Sequence, residues 1–186
     1  MMKKIFGIIV LSLLLGLTSK ADDISDFEIE GMSINDTLLQ FYNKEEISKT
    51  EVNMGYKDKK YTAVAIVDDK YKTYSQVDIE YLTKDKNKLI KSLNGIIYYS
   101  DMNKCYEKMD DITKEISNSV NAIPQTNKYK HQSDPLGSIR GTMYQLEDGQ
   151  ILIQCYDYSS DNHGEDLLSV SIWSEDYIKY LESNPY

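Results

Sequence analysis

Residues 89–120, LIKSLNGIIYYSDMNKCYEKMDDITKEISNSV, carry the change of period that decides the fold. The first eleven (LIKSLNGIIYY) are rich in β-branched and aromatic residues and read as a strand, with Gly95 a candidate bulge. From Asp101 the period lengthens. Cys105, Met109, Ile112, Ile116 and Val120 follow one another at spacings of four, three, four and four, which puts them on one narrow stripe of a helix over 101–120. Asp101 is its expected N-cap, and Cys105 on the stripe faces the core.

Upstream, two further strands are expected. Residues 61–67 (YTAVAIV) are apolar on both faces and suit a strand covered on both sides. Residues 73–83 alternate, with Val77, Ile79 and Tyr81 on one face and Gln76, Asp78 and Glu80 on the other. Residues 22–30 read as an extended lead-in or an edge strand. Ser33 is expected to cap a helix carrying Ile34, Leu38, Phe41 and Tyr42, and Asn43 a short second helix over 44–49.

Downstream, 121–138 carry Pro124, Pro135 and Gly137 and read as a long loop. Strands follow at 139–146 and 150–156, the latter with Ile151, Ile153 and Cys155 on one face. After a polar loop, Leu168, Val170 and Ile172 mark a last strand, and Ser174 opens a terminal helix with Tyr177, Ile178 and Leu181. The order is helix and three strands, then helix, three strands and helix, which reads as two similar α-β-β-β halves. Short hairpin links favour antiparallel pairing, so the expected fold is α+β: an antiparallel sheet of about six strands with helices packed on one face.

The first 21 residues have a different character. Lys3 and Lys4 precede a thirteen-residue apolar run, and Ser19-Lys20-Ala21 offers small residues for cleavage after Ala21. This is the pattern of a secretory signal peptide, and a run this short falls below the roughly 20 residues of a spanning helix. The remaining chain, 22–186, suits a single domain. The whole chain carries −9; three of its lysines (Lys3, Lys4, Lys20) lie in the leader, so 22–186 carries −12. Such a surface repels phosphate backbones and anionic lipid, so neither nucleic acid nor stable membrane insertion after cleavage is expected. The expected location is outside the cytoplasm, in a periplasm or beyond it.

The two cysteines, Cys105 and Cys155, suggest one disulfide in such a compartment, two buried thiols being the other reading. They form no CxxC motif, which argues against an oxidoreductase.

The segment 26–34 (DFEIEGMSI) resembles the opening of a family of small exported bacterial proteins of unknown function. Cys105, His131-x-x-Asp134, and Cys155-Tyr156-Asp157 with Leu168-x-Val170 extend the resemblance over most of 22–186. Where the family pattern has tryptophan after Asp157, this chain has Tyr158. The resemblance implies export and a shared fold. In element order, Gly31-Met32-Ser33 before a helix pair and three strands is also similar to units of envelope assembly lipoproteins and of β-lactamase inhibitor proteins, which implies a protein-binding role.

Chemistry-bearing constellations are sparse. His131 with Asp134, and His163 with Asp161, Glu165 and Asp166, are loop neighbourhoods; joined by Asp157, the set His131, Asp134 and Asp157 is a candidate metal site for a small metal-assisted hydrolase. The other reading is that His131 and Asp134 tie down the long loop by hydrogen bonds. Asp157-x-Ser159-x-Asp161 opens like a calcium loop but has Asn162 where glycine is needed and Leu168 where a bidentate glutamate is needed. No GxSxG or HExxH motif is present, and no cofactor is expected. Sixteen tyrosines against three phenylalanines point elsewhere: Tyr74, Tyr98, Tyr156 and Tyr158 are expected opposite the core residues, as an interface for a protein or ligand, unless helices or loops cover them. The expectation is a non-enzymatic exported module that binds another envelope protein or a small ligand.

Overall fold

The computed structural model describes residues 23–56, 58–130, 134–159 and 164–183. The leader lies outside them, as do His131, Asp161 and His163. After a 3-10 turn at Leu38–Gln40 come α1 (Lys44–Lys49), β1 (Glu51–Val52), β2 (Tyr61–Ile66), β3 (Gln76–Leu82), β4 (Ile90–Tyr98), α2 (Met102–Ser119), β5 (Gln125–Lys130), β6 (Ser138–Gln145), β7 (Gly149–Asp157), β8 (Leu167–Ser174) and α3 (Glu175–Ser183). The strands form one sheet in the order β1-β2-β3-β4-β8-β7-β6-β5, with every neighbouring pair antiparallel. The fold is α+β with eight strands instead of about six. Each half is a helix followed by a four-stranded meander, and the halves join through β4 and β8.

The two added strands lie at the edges. β1 is two residues long and exposed. β5 falls within the expected loop, and all six of its residues are exposed. Its sequence, QTNKYK, has no apolar alternation to announce a strand; the free edge of β6 recruits it through backbone hydrogen bonds.

The core face of the sheet carries Val64, Ile66, Val77, Ile79, Leu93, Ile151, Ile153, Cys155, Leu168, Val170 and Ile172. α2 covers it with the expected stripe of Cys105, Met109, Ile112 and Ile116. Asp101 accepts the Asn103 N–H at 3.0 Å as its cap. Cys105 and Cys155 form a disulfide with Cα atoms 6.1 Å apart. The pairing follows from pattern: each cysteine sits on the apolar side of its element, and those two sides face each other.

The segment 33–42 is not the expected α-helix. Asp36 does receive the Ser33 N–H at 2.9 Å. Asn35, however, adopts a left-handed φ of 71°, and the backbone pairs with the start of β4 instead, through Asn35 N–H to Ile90 O and Ile90 N–H to Asp36 O. Ile34 and Leu38 still reach the core and Tyr42 packs against it, whereas Phe41 is exposed. α1 forms as expected, with Asn43 and Glu46 in a reciprocal capping box. Gly95 is not a bulge either. It pairs regularly with Val77 and Val170, and the register shift lies at Glu80/Tyr81. Gly95 is needed because the Tyr74 ring lies over it: a Cβ there would stand 2.5 Å from the ring.

The expectation of helices on one face holds for α1 and α2. α3 turns Tyr177 and Tyr180 onto the opposite face, where they pack with Tyr61, Trp173 and Leu82. Tyr61 and Trp173 alternate with residues of the main core along β2 and β8, so their side chains stand on the other side of the pleat. That explains why 61–67 reads as apolar on both faces.

Candidate functional site

The face of the sheet away from α2 is largely polar beyond the aromatic cluster that α3 covers. Strand register places its side chains in rows. One row runs Asp78, Asn94, Ser171; the next runs Gln76, Ile96, Ser169, Gln154; a third runs Tyr98, Leu167, Tyr156. Tyr129 of β5 extends the third through Ile139. Glu80 and Ser92 begin the face at the end roofed by α3. Among the described strand residues of this face none is lysine or arginine.

These groups are wired to one another. The Ser169 and Ser171 hydroxyls both donate to Asn94 Oδ1, at 2.5 and 2.8 Å. Tyr98 donates to Gln76 Oε1 at 3.4 Å, and Gln76 Nε2 donates to Asp78 Oδ1 at 2.7 Å. On the other half, Tyr156 donates to Gln154 Oε1 at 3.1 Å and Gln154 Nε2 donates to the Tyr129 hydroxyl. The serines and Gln154 are buried between longer neighbours, while Tyr98 and Tyr129 are 42% and 45% exposed and mark the open part of the face.

Two carboxylates stand two residues apart on β3, about 7 Å along the strand. Burial raises the Asp78 carboxyl above its ordinary value, against the Gln76 hydrogen bond. Glu80 is buried, and loss of water pushes its carboxyl up to about 7; the hydroxyls of Ser92 and Tyr177 act in the other direction, and the Asp78 charge adds to the rise. Its Oε2 has no hydrogen-bond partner. A buried carboxylate with no cation beside it is expensive to ionise.

Of the tyrosines expected on an interface, Tyr98, Tyr156 and Tyr158 belong to this face. Tyr158 stacks on Tyr156 with ring centroids 6.1 Å apart. Burial raises the Tyr156 and Tyr158 hydroxyls above the usual tyrosine range. Tyr74 does not belong to it. Its ring packs against the main core over Gly95, and Glu30 accepts its backbone N–H at 3.0 Å. The same carboxylate takes the N–H groups of Lys72 and Thr73, which is the work done by Glu30 of the DFEIEG segment.

The Asp134 carboxylate and the Asp157 backbone oxygen both flank Gly137 near the start of β6 and the end of β7, with His131 outside the described residues. Asp134 is buried and accepts the Ser159 N–H at 2.7 Å, the Ser159 hydroxyl at 2.9 Å and the Leu136 N–H at 3.1 Å. Gly137 is required beside it, since a Cβ there would stand 2.6 Å from Asp134 Oδ2. Asp157 accepts a long contact, 3.5 Å, from Ser138. Asp134 thus fastens the loop before β6 to the loop after β7. Among the described residues no group of three His, Cys, Asp or Glu side chains is placed to hold a metal, and no helix is long and apolar enough to cross a membrane.

Asp78 and Glu80 were visible in the sequence as the polar side of an alternating strand, which is also how a solvated face looks. Nothing local marked Asn94, Ser169, Ser171 or Gln154 as their neighbours; β4–β8 pairing brings them together. Comparison of the chain with protein-family models, with curated proteins and with solved structures finds no match.

Proposed function

We propose that this protein is an exported binding module, periplasmic or secreted, that takes a small ligand or a segment of an envelope protein on the polar face of its sheet and catalyses no reaction. The observation that carries the reading is the contrast between the two faces. One is covered by α2 and carries the main apolar core over β2–β4, β7 and β8. The other holds an extended network of amides, hydroxyls and carboxyls, partly buried and rimmed by exposed tyrosines. Buried polar groups cost stability wherever apolar ones would pack, so their concentration on one face is what a recognition surface requires. The leader pattern of 1–21 and the Cys105–Cys155 disulfide support export, because such bridges persist in oxidising compartments. The hydrolase reading through His131, Asp134 and Asp157 has less support, since Asp134 is committed to holding two loops.

Native mass spectrometry of the protein isolated from its host's envelope tests this. A bound mass on the wild type that Tyr156→Ala no longer retains is the expected result. A bare wild-type mass, or turnover of an envelope polymer abolished by one substitution, would sink the proposal.

A further inference from the structure

β4 spends an extra residue where its pairing with β3 slips. Glu80 pairs with Ser92 and Tyr81 with Ile90, so Lys91 between them has no partner on β3. A bulge of this kind turns a side chain out of the regular alternation, and bulges gather beside functional sites. Lys91 lines an open cleft of about 200 Å³ at the end of the sheet where β4 and β7 begin and β8 passes into α3. None of the polar-face residues named above lines it, so the cleft stands apart from the binding reading.

The cleft carries both signs of charge beside the apolar side chains of Ile24 and Ile34. The Lys91 side chain is 14% exposed. Its ammonium donates to Asn35 Oδ1 at 2.9 Å, while the Asp176 carboxylate stands at 3.8 Å, beyond hydrogen-bond reach. An ammonium has three donors, and among the described residues only Asn35 takes one. Asp176 is 72% exposed, so water reaches the cleft on that side. Asp148 also lines it. One Asp148 oxygen accepts the Ile24 N–H at 3.0 Å, and among the described residues no lysine or arginine pairs with this carboxylate. Burial raises the Asp148 carboxyl above its ordinary value, and the Asp23 charge adds to the rise. Glu175, the remaining acid, is paired with Lys179 at 2.7 Å. One small cleft thus holds an ammonium with unspent donors and an unpaired carboxylate, and the two do not meet.

We infer that this cleft binds a free α-amino acid, with the ligand carboxylate held by the Lys91 ammonium and the Asn35 side-chain amide, the ligand ammonium held by Asp148, and a small apolar side chain lying against Ile24 and Ile34. A zwitterion supplies an acceptor for the spare Lys91 donors and a cation for Asp148 at once. A simple amine leaves the Lys91 donors unused, and a simple carboxylate is repelled by Asp148 and Asp176. The space is smaller than the roughly 300–1,000 Å³ of a drug-sized site, which suits a ligand of this size.

Titration calorimetry of the intact protein with L-valine, isobutylamine and 3-methylbutanoate separates these cases, since the three share a branched carbon frame and carry both charges, the positive one alone and the negative one alone. Saturable valine binding, about tenfold or more tighter than that of either fragment, is expected, because each fragment forfeits one charge-assisted contact. Lys91→Met, which keeps the apolar stem, should bring valine down to the affinity of isobutylamine. Asp148→Asn, which keeps an oxygen for the Ile24 N–H, should bring it down to that of 3-methylbutanoate. Asp111→Asn, an exposed acid on α2 outside the cleft, should change nothing. Valine binding no tighter than that of either fragment, or unchanged in both Lys91→Met and Asp148→Asn, overturns the inference. An absence of saturable binding by all three overturns it as well.

Discussion

Replacing Glu80 by glutamine is expected to stabilise the protein at and above neutral pH and to change it little near pH 4.5. Glu80 is buried beneath α3 with its carboxyl raised to about 7 from an ordinary 4.5, first because water is excluded. The groups that face it are the Ser92 hydroxyl, the Tyr177 hydroxyl from α3, and the Asp78 carboxylate. Between those two pH values the folded chain holds a proton that the unfolded chain releases. Stability therefore falls as pH rises through the window, and the neutral amide has no such loss. The gap at 1.36 kcal/mol per pH unit is about 3 kcal/mol, fully expressed above pH 7 and absent below pH 4.5. Urea unfolding of both proteins at half-unit intervals from pH 4.5 to 8 reads the difference directly, and the many other acids cancel in it. A difference that stays flat with pH would refute the assignment of Glu80 as a buried, uncompensated acid.

Two further outcomes follow from the packing. The Cys105→Ala/Cys155→Ala pair should lose about 4 kcal/mol, the loop-entropy value for a bridge spanning 50 residues; a melting temperature equal in oxidising and reducing buffer would show the bridge idle. Asp134→Ala strips Ser159 and Leu136 of their acceptor and should cost about 2–3 kcal/mol, with faster hydrogen exchange at those two amides; unchanged exchange would mean that Asp134 does not fasten the loops.

Much of the architecture was legible along the chain. The Cys105-to-Val120 spacing marks a helix with one buried stripe, the alternation in Val77–Ile79–Tyr81 and in Ile151–Ile153–Cys155 marks half-buried strands, and both cysteines fall on apolar sides. These are local facts, because period and polarity within ten or twenty residues decide which side of an element avoids water. Segment 33–42 was misleading for the same reason. Its apolar spacing suits a helix and Ile34 and Leu38 are buried, but long-range pairing with Ile90 sets its backbone otherwise.

What depended on tertiary structure is everything that joins distant strands. β5 exists as a strand because β6 presents a free edge, whatever its own polar sequence prefers. α3 crosses to the far face because Tyr61, Trp173 and Leu82 leave an apolar patch there for Tyr177 and Tyr180. The candidate site belongs to this class as well. Asp78 and Glu80 are legible as one polar strand side, but Asn94, Ser169, Ser171 and Gln154 become their neighbours only when β4 pairs with β8 and β8 with β7. A sequence determines the polarity of each face through local period; which polar faces become contiguous is set by hydrogen-bonded register between segments scores of residues apart, and no local pattern encodes that.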